Sequence, residues 1–210
     1  MSDVAFSDAV DGDSVSPLDG RSLRRERNAE RLYEAANTLL ADGSFEDISV
    51  DDICALAGVG RATFFRIYET KAGLLREFNR RLADDARQRL EGAPGAGIRD
   101  ALEQIRGAII DAWRHAGRGH VGMAQEFIRS APNGNLHAAH PELLDLVLGC
   151  IADAVRAGEL PGTVPVDLAA SLALVNMTAP VAYVIAGNDV DLDELSRTLL
   201  DQWYAGMQSS

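Results

Sequence analysis

Between Ser49 and Tyr68 the sequence starts a helix, stops it after about two turns and starts another within three residues. Ser49-Val50-Asp51-Asp52 is a capping-box pattern: the serine side chain can accept from exposed N–H groups, and the acids suit the positive helix end. Gly58-Val59-Gly60 breaks that helix, and a second short one follows from Arg61 to about Tyr68. Two short helices joined by a glycine turn are a helix-turn-helix candidate. Such a unit makes three demands. Small residues must let the helices approach, and Ala55, Ala57, Gly58 and Ala62 supply them. Apolar residues must lock the crossing angle, which Val50, Ile53, Leu56, Val59 and Phe64 can do. Short polar or basic residues must face outward where the second helix begins, as Arg61 and Thr63 do.

The rest of the chain is helical in pattern. Before the motif, apolar residues recur at Ala29, Leu32, Ala36, Leu39 and Leu40 behind an arginine-rich start, and Asp42-Gly43 ends that run. After it, Thr70-Lys71 is read as opening a long fourth helix through about Leu90. Ile98, Leu102, Ile105, Ile109 and Trp113 mark a fifth helix at near-perfect helical spacing. Further helices are read at about 120–130, from Pro141 through 157, at 166–186 and at 192–207. With no strand pair in the pattern, the chain is all-α with about nine helices. The N-terminal helix-turn-helix three-helix domain takes residues 21–70 and a helical C-terminal domain takes 71–210. Residues 1–20, with five acids and no base, read as a disordered acidic tail.

The net charge of -12 bears on partners through its distribution. Thirteen of the twenty basic residues lie between 21 and 90, against twelve acids, so the acid excess sits elsewhere. Phosphate contacts need local positive charge, not a basic whole. Nineteen of the twenty basic residues are arginine, and Lys71 is the single lysine. The tail has none of the marks of a signal peptide, the apolar stretch at 168–187 is interrupted by Asn176, Thr178 and Pro180, and Cys54 and Cys150 have no metal or redox spacing. The expectation is a cytoplasmic protein with no membrane span and no cofactor.

From Ile48 to Leu75 the chain resembles the DNA-binding domain of the tetracycline-repressor (TetR) family. The matching features are the Ile-Ser-Val-Asp-Asp-Ile start, the Ala57-Gly58-Val59-Gly60 turn, the Ala62-Thr63-Phe64-Phe65 recognition helix and Lys71-Ala-Gly-Leu-Leu75. The resemblance implies roles. Ser49 contacts a backbone phosphate as well as capping its helix. Arg61, Ala62, Thr63 and Phe65 form the face entering the major groove. Lys71 binds phosphate, and Arg24 and Arg25 reach the flanking backbone. Gly60 stands where the family has Ser or Thr, Phe65 where it has Tyr, and Ile67 where a polar residue or His is common.

The resemblance also implies a homodimer through 166–186 and 192–207, with Leu195, Leu199, Trp203 and Met207 as a near-heptad stripe that faces either the partner or its own core. It implies a cavity for a small, mostly apolar ligand, for which Trp113, His120, Met123, Phe127, Leu144, Leu148, Asn176, Met177 and Tyr183 are candidate liners. An anionic ligand would need Arg106, Arg114 or Arg129. His137-Ala-Ala-His140 has metal-compatible spacing, but a capping role for His140 before Pro141 is simpler, and no catalytic constellation accompanies it. The expectation is thus a non-enzymatic, ligand-responsive regulator, most simply a repressor released from a near-palindromic double-stranded DNA operator. The alternatives are a ligand-activated regulator with weak binding in the free state and a helical adaptor.

Overall fold

A computed structural model of the chain describes residues 17–95, 97–130 and 140–208, with side chains at 20–95, 97–117, 119–126 and 140–208. Most of the acidic tail, and His137, therefore lie outside the described residues. Every regular element among them is an α-helix: α1 (Pro17–Asp42), α2 (Val50–Ala57), α3 (Arg61–Tyr68), α4 (Leu74–Glu91), α5 (Ile98–Arg114), α6 (Arg118–Ser130), α7 (Pro141–Ala157), α8 (Val166–Ile185) and α9 (Leu192–Gln208).

The first three helices close around one small core. Leu32, Ala36 and Leu40 of α1 meet Ile53 of α2 and Phe64 of α3, all at most 2% exposed. Burying Phe64 alone contributes about 2–3 kcal/mol. The Tyr68 hydroxyl donates to the Ala29 carbonyl at 2.8 Å, pinning the end of α3 to α1. Leu56, expected in the helix-crossing core, instead points to solvent at 55% exposure. It follows Ala55 on the outer side of α2, so the crossing is set by Ile53, Ala57, Val59 and Phe64.

Two helix starts differ from the expectation. α1 begins at Pro17, inside the stretch read as tail, where the fixed φ of proline suits a first helical turn. α4 begins at Leu74, not at Thr70. The Thr70 Oγ accepts from Gly73 N at 3.0 Å, and Gly73, Leu74 and Leu75 each donate three residues back. These turns hold the chain in a tight bend, and a Cβ on Gly73 would lie 1.9 Å from the Tyr68 carbonyl oxygen.

α4 to α9 build the second core. Leu82, Ala83 and Ala86 of α4 face Leu102, Ile105 and Ile109 of α5, joined by Val147 and Ile151 of α7 and by Ala170, Ala173 and Met177 of α8. By length and apolarity α8 could cross a bilayer, but half of it is buried against its neighbours, chiefly α7 and α9. The α9 stripe expected at the dimer interface turns inward. Trp203 and Met207 are buried with Leu200 against the chain's own core, while Leu195 and Leu199 stay half-exposed. Near-heptad spacing gives one apolar face, and that face is used internally. Arg106 is buried too. Its guanidinium spans Glu103 (2.7 and 2.6 Å) and Asp193 (2.6 Å), tying α5 to the start of α9. Those carboxylates hold its proton more tightly than usual. It is therefore spent on the fold and not offered to an anionic ligand.

The two cores meet along a glycine seam. A Cβ on Gly117 would lie 2.4 Å from the Ala41 carbonyl oxygen, one on Gly119 2.7 Å from that of Leu40, and one on Gly122 2.9 Å from Phe45 Cβ. The start of α6 thus rides directly on the end of α1 and the loop that leads to α2.

Candidate nucleic-acid interface

The turn between α2 and α3 is built as the motif requires. Ser49 caps α2: its Oγ accepts from Asp52 N at 3.1 Å, while the Asp52 carboxylate accepts from Ser49 N at 2.9 Å. The Ser49 hydroxyl also donates to Asp52 at 2.6 Å, and these bonds hold that carboxyl below its usual pKa. The one hydroxyl proton of Ser49 is thus taken by Asp52, and a phosphate contact there needs the hydroxyl to rotate. Gly58 ends α2 at φ 61, where a side chain would also meet the Arg31 guanidinium at 2.8 Å. Gly60 precedes α3 in an extended conformation and gives it no side-chain cap. Cys54 is buried between the helices, and burial raises its thiol pKa.

α3 presents Arg61, Ala62, Phe65 and Arg66 to solvent, with Thr63 and Ile67 half-exposed. Phe64 and Tyr68 point the other way, into the core. The recognition residues expected from the sequence therefore share the outer side of the helix. Beside them, between α1 and α3, runs a groove of about 590 Å³ lined by Arg24, Arg27, Asn28, Arg31, Gly58, Val59, Gly60, Thr63 and Arg66. It holds four guanidinium groups and no carboxylate.

Most arginines outside this groove are paired. Arg76, Arg80, Arg81, Arg87, Arg89, Arg99, Arg106, Arg114, Arg156 and Arg197 each pair with a carboxylate. The four groove arginines take no such partner among the described residues. In a chain of net charge -12 this is a local surplus of positive charge, the kind that neutralises phosphates and releases their counterions.

Of the two arginines expected to reach the flanking backbone, Arg24 lies in this groove. Arg25, one residue on, is rotated by about 100° and lines a different cleft with Arg76, Arg80, Glu26, Glu30, Glu77 and Glu142. Arg27, Arg31 and Arg66 were missed. The signal was present in the i, i+3, i+7 spacing of Arg24, Arg27 and Arg31, which puts all three on one face.

Lys71, expected from the resemblance to bind phosphate, is engaged within the chain. Its ammonium turns inward, donating to the Ile48 carbonyl at 2.7 Å and to the Phe45 carbonyl, with its nitrogen 4.0 Å from the centre of the Phe45 ring. Desolvation lowers its pKa against the pull of Glu46, Glu126 and Asp47. Lys71 holds the α1–α2 loop from below, and Gly122 packs on the same phenylalanine from α6.

Among the described residues, the side chains expected around a ligand take different environments. Trp113 packs half-buried on Phe78, and His120 lies buried at 5.7 Å from the same ring, its Nε2 2.9 Å from Asn37 Oδ1. Met123 and Met177 are core, the latter with no exposure. Leu148 and Tyr183 face solvent instead. Asn176 is turned onto its own helix, donating to the Leu172 carbonyl at 2.8 Å. Leu144 is half-buried, and the Phe127 and Arg129 side chains lie outside the described ones. His140 stands at the N-cap of α7 but makes no side-chain cap, contrary to expectation. Its Nδ1 is buried with no partner among the described residues, and burial lowers its pKa to about 4. No group of three metal-ligating side chains comes together among the described residues.

Residues 32–78 match the family model of the bacterial regulatory proteins of the tetR family, and no curated protein sequence matches the chain. The fold is shared with solved regulators. Thermus thermophilus FadR, a TetR-family transcriptional repressor in complex with lauroyl-CoA, is 20% identical with TM-score 0.64, over 85% of this chain and 94% of that one. Bacillus subtilis FadR in complex with stearoyl-CoA is 18% identical with TM-score 0.62, over 84% and 98%. The fatty acid degradation regulator FadR from Bacillus halodurans is 15% identical with TM-score 0.60, over 86% and 96%.

Proposed function

We propose that this chain, whose residues 32–78 match the tetR family model, is a TetR-family DNA-binding transcriptional regulator, a dimeric repressor released from its operator by a small, mostly apolar molecule. The observation that carries the DNA end of this reading is the α1–α3 groove, where four arginines stand without carboxylate partners beside the recognition face.

The dimer forms across α7 and α8, in place of the α8 and α9 pairing expected from the sequence. Leu168, Leu172, Val175, Ala179 and Tyr183 recur along the outer side of α8, and Leu148 stands exposed on α7. Two helices from each subunit then bury this apolar stripe in a four-helix contact. Two-fold symmetry sets the recognition helices about 34–36 Å apart, one DNA turn, on a near-palindromic site in the cytoplasm.

A ligand acts by preferring a dimer whose helix spacing misses that distance. Two couplings reach the DNA-binding unit. Arg81 of α4 pairs with Glu30 of α1 while holding Glu77 at 2.9 Å, and the glycine seam joins α6 to α1. The FadR structures with lauroyl-CoA and stearoyl-CoA make a long-chain acyl thioester the first class to test.

The test is selection of random-sequence duplexes by the purified chain, followed by a salt series on the recovered site and titration with acyl-CoA thioesters. A two-fold symmetric site whose affinity falls steeply with salt and is lost on adding a thioester supports the proposal. Recovery only in the presence of ligand turns it into an activator. No enrichment at low salt refutes the DNA end of it and leaves the adaptor.

A further inference from the structure

The outer face of the helix-turn-helix carries an acid where DNA would lie. Asp51, in the first turn of α2, pairs its carboxylate with the guanidinium of Arg61, the first residue of α3. Both side chains are more than half exposed, at 62% and 58%. An ion pair so open to water contributes little to stability. Asp52 beside it is accounted for by the capping box, whereas Asp51 makes no capping bond and adds only its first-turn charge to the helix end. An unscreened carboxylate on this face would only repel phosphates.

The guanidinium is held from a second side. Its central carbon lies 5.6 Å from the centre of the Phe65 ring. That ring in turn rests edge-on against Phe64, 5.5 Å between centres, and Phe64 is fully buried. A chain of contacts therefore runs from the core through Phe65 to Arg61, with Asp51 closing the other side. An arginine side chain otherwise samples many rotamers, and holding it in advance lowers the entropy lost on binding.

Resting on the DNA-binding reading above, we propose that Asp51 is a positioning residue that presets Arg61 to read a guanine of the operator, with Phe65 beside it meeting a thymine methyl. A guanidinium has five donors in a rigid fork. Asp51 takes one at Nη1, which leaves a pair for the O6 and N7 acceptors in the major groove. The exposed edge of the Phe65 ring suits the thymine C5-methyl group. Arg61 and Phe65 are four residues apart, about 6 Å along the helix, so the two bases lie within two steps of one another.

Asp51 then acts with two opposite signs. It sharpens discrimination by fixing Arg61, and it weakens general DNA affinity by its charge. A residue that merely supports the fold does neither.

The experiment selects random duplexes with the wild-type chain. It then measures binding of wild type, Asp51→Ala, Asp51→Glu and Arg61→Gln to the recovered site and to single-base-pair variants, at fixed salt. Circular dichroism confirms that each variant is folded. The expected wild-type site carries a guanine in each half, with thymine within two base pairs, and replacing that guanine weakens binding about tenfold. Arg61→Gln abolishes that preference. Asp51→Ala reduces it to about twofold while binding to unrelated duplexes tightens a few-fold, and Asp51→Glu restores part of it. Wild-type enrichment of a site whose guanine preference is indifferent to both residues overturns this inference and leaves the function standing. So does Asp51→Ala that weakens all duplexes equally. Failure to enrich any site overturns both.

Discussion

Replacing Lys71 by methionine keeps the apolar stem over Phe45 and deletes the ammonium. In the structure that ammonium serves the Phe45 and Ile48 carbonyls and sits 4.0 Å from the centre of the Phe45 ring. A hydrogen bond to a charged group contributes about 1.5–3 kcal/mol when intact, and a cation over a ring about 0.5–1 kcal/mol at an exposed site. Lys71 is only half-buried, so water reaches the carbonyls once the ammonium is gone and recovers part of this. A net loss of about 2 kcal/mol remains, which for a chain of this size lowers Tm by about 4–8 °C. The assay is thermal unfolding at one fixed protein concentration, because the proposed dimer would couple Tm to concentration. It is paired with a salt series of DNA binding. The slope of log affinity against log salt stays unchanged, because an inward-facing ammonium neutralises no phosphate. Lys71→Arg does not restore Tm, since a planar fork on a longer stem cannot aim at two adjacent carbonyls as a compact ammonium does. An unchanged Tm with a slope reduced by about 0.9 would refute this reasoning and make Lys71 a phosphate ligand.

Other perturbations follow from single contacts. Gly119→Ala places a methyl 2.7 Å from the Leu40 carbonyl oxygen and is expected to cost about 1–3 kcal/mol by urea unfolding, whereas Gly206→Ala on exposed α9 meets nothing within 4 Å and stabilises by about 0.5–1 kcal/mol. Gly60→Ser meets nothing within 4 Å, restores a side-chain cap to α3 and raises stability by a few tenths of a kcal/mol, about 1 °C in Tm. Leu172→Glu puts a charge in the apolar stripe of α8, and sedimentation should show monomers that bind the operator weakly. His140 stays neutral in the folded chain down to about pH 4 but titrates near 6.5 when unfolded, so the unfolded state binds more protons in that interval. Stability should fall by up to about 1.4 kcal/mol per pH unit from about pH 6.5 toward 4, with His120 adding in the same direction, and His140→Gln should flatten the slope.

The elements a local pattern can specify were legible. The capping box at Ser49, the glycine turn and the bounds of α2 and α3 appear in the structure as read, because each depends on neighbours within four residues. What failed was direction. Helical spacing assigns Leu195, Leu199, Trp203 and Met207 to one side of α9 but does not say whether that side meets its own core or another subunit. Arg24 and Arg25 are equally basic, and only the helical phase, resolved by the packing of α1, sends one to the groove beside α3 and the other into a cleft of mixed charge. Lys71 lies in a run of turns with no periodicity to orient it. The ligand candidates were chosen by residue type, which does not give their burial: Met177 has no exposure and Tyr183 faces solvent.

The glycine seam shows why the junction between the two domains was least visible of all. Gly117, Gly119 and Gly122 read as helix-weakening residues near the start of α6, and their sequence names no partner. Their use is the absence of a side chain: the backbone of α6 comes close enough to α1 that a single methyl would collide with carbonyl oxygens. A contact of this kind is stiff, because no flexible side chain lies between the two backbones to absorb a shift. Any displacement of the start of α6 must therefore be passed to Leu40, Ala41 and Phe45, or the seam must part. Phe45 then hands the displacement to Lys71, which holds the same loop at the foot of α3 and α4. The arginine groove and α3 are thereby referred to the helical C-terminal half by backbone contact at α6 as well as by the Arg81–Glu30 pair at α4. Weakening the salt bridge alone, by Glu30→Gln, should leave most of that coupling in place.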